Sequence, residues 1–432
     1  MKTIIKQLIS CTITIFLTVV MLMGLSDLME RKYSVQKYND FFQQEEDFDV
    51  LFLGSSHVID GISPMDIWND YGIVSYNLGG HSNTIPTSYW IMMCALEYTS
   101  PKVVVIDGYL LGSKYKISGD NYSSAHNSFD AFPLSKTKIQ GIYDLMDDPV
   151  IKEEIENGTV VVGEERTPIG LLWNYSVYHS RWNELTEADF VVEYWYNKGA
   201  EDRVSIVPHD IPIDSTVSVV NSVGLEYLNK IIEECDKRGI SVLLTYLPAQ
   251  NGCQREANFL ESYADERGID YINFMNNDCI NTYIDFSDEK GHLNPSGARK
   301  VSSYIAEYLM SNFDVQSRKE DERYKDWYKD YEEYVEYKNS LLKKQTDIRV
   351  YLMLLNDSTY ECEIETTNEV YEEYFNLIDN ISCLGKCTVN IVDSLPYYDF
   401  VHASPVAMVK VYHDGAMVDC IYCYNGGIYR EP

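Results

Sequence analysis

The chain has 432 residues, which is enough for one domain with a full hydrophobic core and a smaller companion. Hydrophobic residues make up 45% of it and charged residues 24%, as is typical of a globular protein rather than a disordered one. The formal net charge of −32 argues against a nucleic-acid partner, because so acidic a surface repels phosphates.

The N-terminal segment contains an uncharged, apolar run from Leu8 to Leu25. Its 18 residues would extend about 27 Å as a helix, close to the ~30 Å hydrocarbon core of a bilayer. Two lysines precede the run, which favours a cytoplasmic N-terminus. A cleaved signal peptide is the alternative, but no small-residue cleavage site follows. The sequence therefore predicts a single-pass membrane anchor over residues 1–28, with the rest of the chain extracytoplasmic.

Beyond the anchor, residues 29–47 are rich in acids and amides and predict a polar stalk. Strands and helices then alternate, often with glycine at the joints. Apolar runs predict five strands, at residues 50–53, 73–78, 102–106, 240–247 and 269–274. Helical patterns lie at residues 84–97, 225–238, 256–267 and 295–313. This alternation predicts an α/β fold with a doubly wound parallel sheet over residues 48–313.

Three regions depart from the alternation. Residues from about 113 to 221 predict an insertion that shapes the substrate cleft, because loops beyond strand ends carry specificity in such sheets. Residues 314–345 predict a linker helix, charged and with an aromatic stripe from residue 318 onward. Residues 346–432 predict a small β-rich C-terminal module, beginning with the alternating apolar residues of 348–354 and containing a hairpin at Asp414-Gly415. No chemistry is predicted for that module.

The ten cysteines of an exported chain raise the possibility of disulfides. One of them lies in the apolar run, so the remaining number is odd and at least one thiol stays unpaired or pairs between chains. Cys383, Cys387, Cys420 and Cys423 resemble two halves of a zinc site. However, Cys420 and Cys423 lie in a strand-like run, where residues three apart point to opposite faces. We therefore predict no metal and no cofactor.

A first candidate for chemistry is the DVLFLGSSH segment at residues 49–57. It places Ser56 on a glycine-assisted turn at the tip of a predicted parallel strand, the edge at which open α/β sheets bind ligands. A plain strand-to-helix turn with capping serines is the alternative interpretation.

The second candidate is the FSDEKGHLNPSGA segment at residues 286–298, on the loop that enters a predicted helix. A carboxylate a few residues before His292 can accept the Nδ1 proton and leave Nε2 free to accept a proton from a serine. Asp288 and Glu289 are both placed for this role. A capped helix start with an incidental histidine is the alternative.

Together these segments resemble the SGNH (GDSL-like) hydrolases over residues 48–312. The GSSH and HLNPSGA forms are similar to the membrane-anchored branch that includes the D-alanine transfer protein of teichoic acid synthesis and the alginate O-acetylation proteins. The resemblance implies that Ser56 is the nucleophile and His292 the base. It also implies that the backbone N–H groups of Ser56 and Gly79 form the oxyanion hole.

The chain departs from this family pattern in two places. The third family block carries a Gly-x-Asn whose asparagine is an oxyanion donor, whereas this chain has Leu110 at that position. Asn77 and Asn83 are the nearby candidates to replace it. Strict Asp-x-x-His spacing falls on Glu289, while a one-residue insertion after Asp288 would make Asp288 the acid.

The predicted function is extracytoplasmic O-acyl ester hydrolysis or O-acyl transfer on a cell-envelope or exopolysaccharide glycan, through an acyl intermediate on Ser56. The resemblance implies an acetyl or D-alanyl group and a membrane-bound O-acyltransferase as partner. The alternative is a polysaccharide-binding or scaffold protein of the same fold with impaired catalysis.

Overall fold

The structure is a computed structural model. It describes most of the chain, namely residues 2–29, 32–118, 122–158, 167–173, 182, 185, 187, 195–218, 220–250, 252–345, 348–355, 360–367, 387–395, 405–424 and 427–430.

The chain begins with helix α1, Lys2–Met29. Its segment Thr3–Ser26 is, among the described residues, the one stretch long and apolar enough to cross a membrane. That property agrees with the predicted anchor, and a signal sequence shares it.

The predicted polar stalk is instead largely a helix, α2, at Lys32–Gln43. Tyr38 and Phe41 are buried on one face of α2, three residues apart, and their rings contact Phe132 of the main core. The acids and amides around these two aromatic residues obscure the amphipathic pattern of the helix in the sequence. This part of the chain packs on the core rather than extending away from it.

A five-stranded parallel sheet forms the centre of the fold, as predicted. Its strands are β1 Val50–Leu53, β2 Ser75–Asn77, β3 Val103–Asp107, β4 Ser241–Tyr246 and β5 Asp270–Asn273, in the order β2-β1-β3-β4-β5. Every residue of β1 and β3 is buried, which explains why these strands read as continuous apolar runs.

Helices connect the strands and pack in two groups. They are α3 Ser56–Gly61, α4 Pro64–Tyr71, α5 Ile85–Ala95, α6 Tyr122–Phe129, α7 Lys136–Met146, α8 Pro149–Glu156, α9 Pro168–Leu172, α10 Val223–Arg238, α11 Gln254–Arg267 and α12 Pro295–Asn312. Helix α5 packs against α7 and α10, whereas α12 packs against α3 and α4. Gly239 and Gly268 end α10 and α11 in left-handed conformations, with φ of 70° and 65°.

The predicted insertion contains α6 to α9, followed by an irregular stretch at residues 195–218. Phe129 and Phe132 join the main hydrophobic core. The irregular stretch runs beside the loop that carries His292, because the N–H of Val207 donates to the carbonyl of Phe286 at 2.9 Å. The insertion therefore borders the predicted site.

The predicted linker helix begins later than its charge pattern indicated. Helix α13 spans Asp326–Lys344, preceded by a short 3₁₀ turn at Glu322–Tyr324. Arg318, where the prediction began the helix, instead forms two hydrogen bonds of 2.7 Å to the carboxylate of Asp49. Those bonds tie the end of the α/β region to the start of β1.

The alternating residues of 348–354 were expected to form a strand, and this expectation is wrong. They form helix α14, Ile348–Leu354, in which six of the seven side chains are buried. Alternation of apolar residues does not distinguish a strand from a helix in this segment, because nearly every residue is apolar and a helix that is buried on all sides has no polar face.

The rest of the C-terminal module is a second sheet, as predicted. Its strands are β6 Tyr360–Thr366, β7 Cys387–Ile391, β8 Ala407–His413, β9 Ala416–Tyr424 and β10 Gly427–Arg430, in the order β10-β9-β8-β6-β7. The predicted hairpin is confirmed: Asp414 and Gly415 join β8 to β9 with φ of 50° and 78°.

The cysteines of β9 lie on opposite faces of this sheet. Cys423 packs in the cluster around Ile364, and Cys420 packs against the separate cluster of Met408. Cys383, the fourth member of the resembled zinc set, is outside the described residues.

Candidate active site

The turn after β1 carries both serines of the first motif. A Cβ atom at Gly54 would lie 2.5 Å from Val58 Cγ2, so a larger residue would displace α3. Ser55 is fully buried and caps α3, with its Oγ accepting from the N–H of His57 at 3.3 Å. Ser56 is the first residue of α3 and is only partly buried. The two serines therefore have different roles, and the hydroxyl of Ser56 is the one that points toward the second motif.

The second motif forms a closed loop that leads into α12. A β-bridge joins Phe286 to Leu293, and inside it the N–H of Ser287 donates to the carbonyl of His292 at 2.8 Å. Asn294 then caps α12 by accepting from the N–H groups of residues 296 and 297. His292 is thus held on a short arm fixed at both ends.

Three of the predicted residues, Ser56, His292 and Asp288, are connected by two hydrogen bonds in a line. Ser56 Oγ lies 2.8 Å from His292 Nε2, and His292 Nδ1 lies 2.7 Å from Asp288 Oδ2. An ionised carboxylate only accepts hydrogen bonds, so Nδ1 carries the proton and Nε2 is left to accept from the Ser56 hydroxyl. This is the arrangement that activates a serine for nucleophilic attack.

The structure also separates the two candidate acids. Asp288 Oδ1 accepts from the backbone N–H groups of Lys290 at 2.9 Å and His292 at 3.3 Å, which fixes the carboxylate beneath the ring. Glu289 is exposed, and within the described residues it makes no hydrogen bond to His292. The loop therefore presents Asp288, and not Glu289, to the imidazole.

Burial and nearby charge set the protonation of this pair. Burial is the largest influence on His292 and holds its pKa below the ordinary 6.5, although Asp288 opposes the shift. Burial raises the pKa of Asp288, but the hydrogen bonds and charge of His292 outweigh it and leave that pKa below its ordinary value. At neutral pH the site therefore holds a neutral base beside an ionised acid.

His57 supports the ring of His292 from behind. The two imidazoles stack with centroids 4.4 Å apart, and the Tyr109 ring lies 4.1 Å away on His57. Burial lowers the pKa of His57 to about 3, so it is neutral. Its Nε2 faces the carbonyl of Lys290 at 3.2 Å and its Nδ1 faces Ser55 Oγ at 3.3 Å. A carbonyl only accepts, so the proton is on Nε2 and the ring bridges the two motifs.

Gly79 does not present a free N–H group, contrary to the predicted oxyanion role. Its N–H donates to Asn77 Oδ1 at 3.0 Å, and its carbonyl accepts from the buried ammonium of Lys37. Asn77 is itself fully engaged, because its Nδ2 donates to the carbonyls of Val58 at 2.7 Å and Ile62 at 2.9 Å. The Ser56 N–H, at the first position of α3, has no acceptor within that helix.

The other candidate replacement, Asn83, has unused donor capacity. Its Oδ1 accepts from Ser128 Oγ at 2.7 Å, while its buried Nδ2 has no partner among the described residues. Leu110, which replaces the family asparagine, has a φ of 67°, a left-handed conformation that leucine rarely adopts and asparagine tolerates. The turn after β3 thus keeps a backbone suited to asparagine without its side chain.

Sequence reasoning missed three side chains that surround the line. His57 is the last residue of the first motif and Asp60 lies one helical turn after Ser56, so local spacing could have assigned a role to both. Arg203 contacts Asp288 from 85 positions away in the sequence, and no local pattern signals such a contact.

Comparisons with known proteins give few matches. No protein-family model and no curated protein matches the chain. Among solved structures, the chain is similar to a protein of Bacteroides fragilis that is proposed to be an acylhydrolase. The two share 11% sequence identity and a TM-score of 0.32, over 65% of this chain and 98% of that chain. A TM-score this low carries no argument about function, so the interpretation of the site rests on its own geometry.

Proposed function

We propose that the chain is a serine-dependent O-acyl esterase or acyltransferase with an SGNH-like, doubly wound α/β domain. The observation that carries the proposal is the line Ser56–His292–Asp288, with distances of 2.8 and 2.7 Å. The strand order β2-β1-β3-β4-β5 supports it, because ligands of doubly wound sheets bind where the order reverses, between β1 and β3. Ser56 lies at that end of β1.

In the proposed reaction, the Ser56 hydroxyl gives its proton to His292 Nε2 as its oxygen attacks the ester carbonyl. The tetrahedral intermediate collapses when the alcohol leaves with the proton from His292, and an acyl-Ser56 ester remains. Water or a sugar hydroxyl then attacks that ester, His292 accepts the proton, and Ser56 is regenerated. Asp288 holds the tautomer and offsets the positive charge on the ring.

The oxyanion requires donors, and two are proposed. The Ser56 N–H is one, and the Nδ2 of Asn83 is the other, because it is buried and without a partner among the described residues. The Gly79 N–H would serve only after leaving Asn77 Oδ1.

The location and substrate belong to the same proposal. Helix α1 would anchor the domain outside the cytoplasmic membrane, and α2 then leads from the anchor to Lys37, which contacts Gly79. Lys37 follows the end of α1 by eight residues, which span ~29 Å at most, so Lys37 would lie within that distance of the anchor's end. A cell-envelope or exopolysaccharide glycan suits such a position, with acetyl or D-alanyl as the acyl group and a membrane-bound O-acyltransferase as its supplier.

A second candidate function is a non-catalytic glycan-binding or scaffold protein of the same fold. The observation in its favour is the engaged N–H of Gly79 together with leucine at position 110. An acyl-enzyme experiment separates the two. The full chain in detergent, incubated with p-nitrophenyl acetate and quenched in acid, should gain one acetyl group on the peptide containing Ser56. Adding an oligosaccharide should then accelerate its loss if the chain is a transferase. No acetylated peptide at any quench time would favour the scaffold.

A further inference from the structure

Arg203 joins two carboxylates at the edge of the candidate site. Its Nε lies 2.9 Å from Asp60 Oδ2 in an ion pair that lacks hydrogen-bond geometry, and its Nη1 donates to Asp288 Oδ2 at 3.4 Å. The latter oxygen is the one that faces His292 Nδ1. A single guanidinium thus contacts the acid at the atom that orients the base.

The contacts close into a ring because Ser56 and Asp60 are on the same helix. Residues four apart lie on one helical face, so the two side chains of α3 point the same way. The ring runs from Asp60 through Arg203 and Asp288 to His292, and returns to α3 at Ser56. The helix that carries the nucleophile is therefore tied to the acid by an ion pair as well as through the imidazole.

The backbone around Arg203 is fixed on both sides. The segment at residues 198–209 is hydrogen-bonded to β2, to α3 and to the His292 loop. These bonds are Asn77 N–H to Lys198 O at 3.0 Å, Glu201 N–H to Ile59 O at 3.0 Å, Ser205 Oγ to Ser287 O at 2.7 Å and Val207 N–H to Phe286 O at 2.9 Å. A side chain from the middle of this segment can hold α3 and the loop at a fixed separation.

The two partners of the ion pair between Arg203 and Asp60 differ in burial. The Asp60 side chain is 0% exposed and that of Arg203 is 32% exposed. Burial raises the pKa of Asp60 well above its ordinary value, and Arg203 is the strongest influence in the opposite direction. A buried carboxylate that lost this cation would be left without its charge partner, which is costly.

We propose that Arg203 is a positioning residue, which anchors on Asp60 and holds the Asp288 carboxylate against His292. The inference rests on the proposed function and deepens it. Since the guanidinium is a planar fork, it can engage two carboxylates at once, whereas a lysine ammonium at the same place is a point charge. The role requires both the charge and the fork.

The pH response of His292 provides a readout that packing alone would not move. The charged and titratable groups around its ring are Asp288, Arg203, Lys290 and the stacked, neutral His57. Arg203 and Lys290 lower the pKa of His292, and Asp288 raises it. Removing Arg203 should therefore raise the pKa of His292 through the lost cation, because the backbone N–H groups of Lys290 and His292 still keep the Asp288 charge near the ring after its alignment with Nδ1 is lost.

The test compares Arg203→Met, Arg203→Lys and Asp60→Asn in the full chain in detergent. Arg203→Met should lower kcat on p-nitrophenyl acetate by ~10- to 100-fold, since small misplacements of catalytic groups have effects of that size. It should also raise the pKa of His292, followed by NMR of ¹⁵N-histidine, by at least ~0.5 unit. Arg203→Lys should lose kcat with a smaller titration shift, and Asp60→Asn should lower kcat in the same direction. Arg299→Met is the matched control, because Arg299 pairs with Asp70 at 3.5 Å and is similarly exposed.

The outcomes separate this inference from the proposed function. A folded Arg203→Met chain with unchanged kcat and unchanged His292 titration would overturn the positioning role. If Arg203→Met does not fold, wild-type kcat in Arg203→Lys would overturn it instead. If the wild-type chain forms no acyl-enzyme, the proposed function fails, yet the NMR titration still decides whether Arg203 acts on the Asp288–His292 pair.

Discussion

The two sheets of the molecule treat polar side chains differently. At the carboxyl edge of the parallel sheet, charged and polar groups are buried together, among them His57, Asp60, Asp107 and His292. In the described part of the C-terminal sheet, the buried polar side chain is Thr366, and the ion pair of Lys410 with Glu365 is partly exposed on both sides. Burying charged groups lowers the stability of the fold, so a cluster of them indicates a site that is retained for its function. The contrast supports the proposal that the chemistry takes place at the first sheet, whereas the second sheet serves packing.

The largest expected effect follows from removing the proposed base, His292. His292→Ala should lower kcat/KM on p-nitrophenyl acetate by at least ~10⁴-fold, because neither serine activation nor leaving-group protonation remains. The matched control is His413→Gln, which alters a 44% exposed histidine in the second sheet and should leave the rate within about twofold. Similar losses of kcat/KM in both variants would contradict the proposed difference in function between the two sheets.

The next effect separates the two neighbouring acids. Asp288→Asn should cost ~10³- to 10⁴-fold in kcat, because the imidazole loses the acceptor that fixes its tautomer. Glu289→Gln changes an exposed side chain and should cost less than ~0.5 kcal/mol in stability with little effect on rate. The same esterase assay should show at least a ~100-fold difference between them. Equal, mild losses would mean that neither carboxylate is the acid.

Truncating a core side chain in the second sheet should lower stability strongly and activity little. Ile364 is fully buried in the C-terminal cluster, so Ile364→Ala should lower the free energy of unfolding by about 2–4 kcal/mol. Its kcat/KM should stay within about twofold at temperatures where the chain is folded. The control Ile391→Ala alters a 52% exposed side chain of the same sheet and should change stability by less than ~0.5 kcal/mol. A large loss of kcat in folded Ile364→Ala would show that the second sheet contributes to the site.

The smallest expected effect is a shift of the acidic limb of the pH–activity profile. In the proposed mechanism catalysis needs neutral His292, and burial holds its pKa below 6.5, so kcat/KM should fall only as the pH drops through a value below 6.5. Asp288 raises the pKa of His292, so in Asp288→Asn the acidic limb of the residual activity should move to still lower pH. An acidic limb well above pH 6.5 in the wild type would contradict this electrostatic description.

The sequence was sufficient for the parallel sheet, because its central strands β1 and β3 are continuous apolar runs followed by glycine. It failed for α14, where an almost wholly apolar segment has no hydrophobic period, and for α2, where two buried aromatic residues lie among mixed polar residues. Ser56 and His292 could be predicted because each lies in a local turn with its own geometry. Arg203 could not, since its contacts with Asp60 and Asp288 depend on how an irregular segment crosses the sheet edge. The occupied N–H of Gly79 depends in the same way on the side chain of Asn77.

Labelling of the serine turn tests the central claim most directly. A fluorophosphonate probe reacts with an activated serine, and Ser55 and Ser56 are adjacent residues that the structure assigns to a buried cap and to the His292 contact. Labelling should disappear in Ser56→Ala. It should largely persist in Ser55→Ala, which loses a cap worth ~1 kcal/mol. Labelling that survives Ser56→Ala but is lost in Ser55→Ala would contradict the site described here.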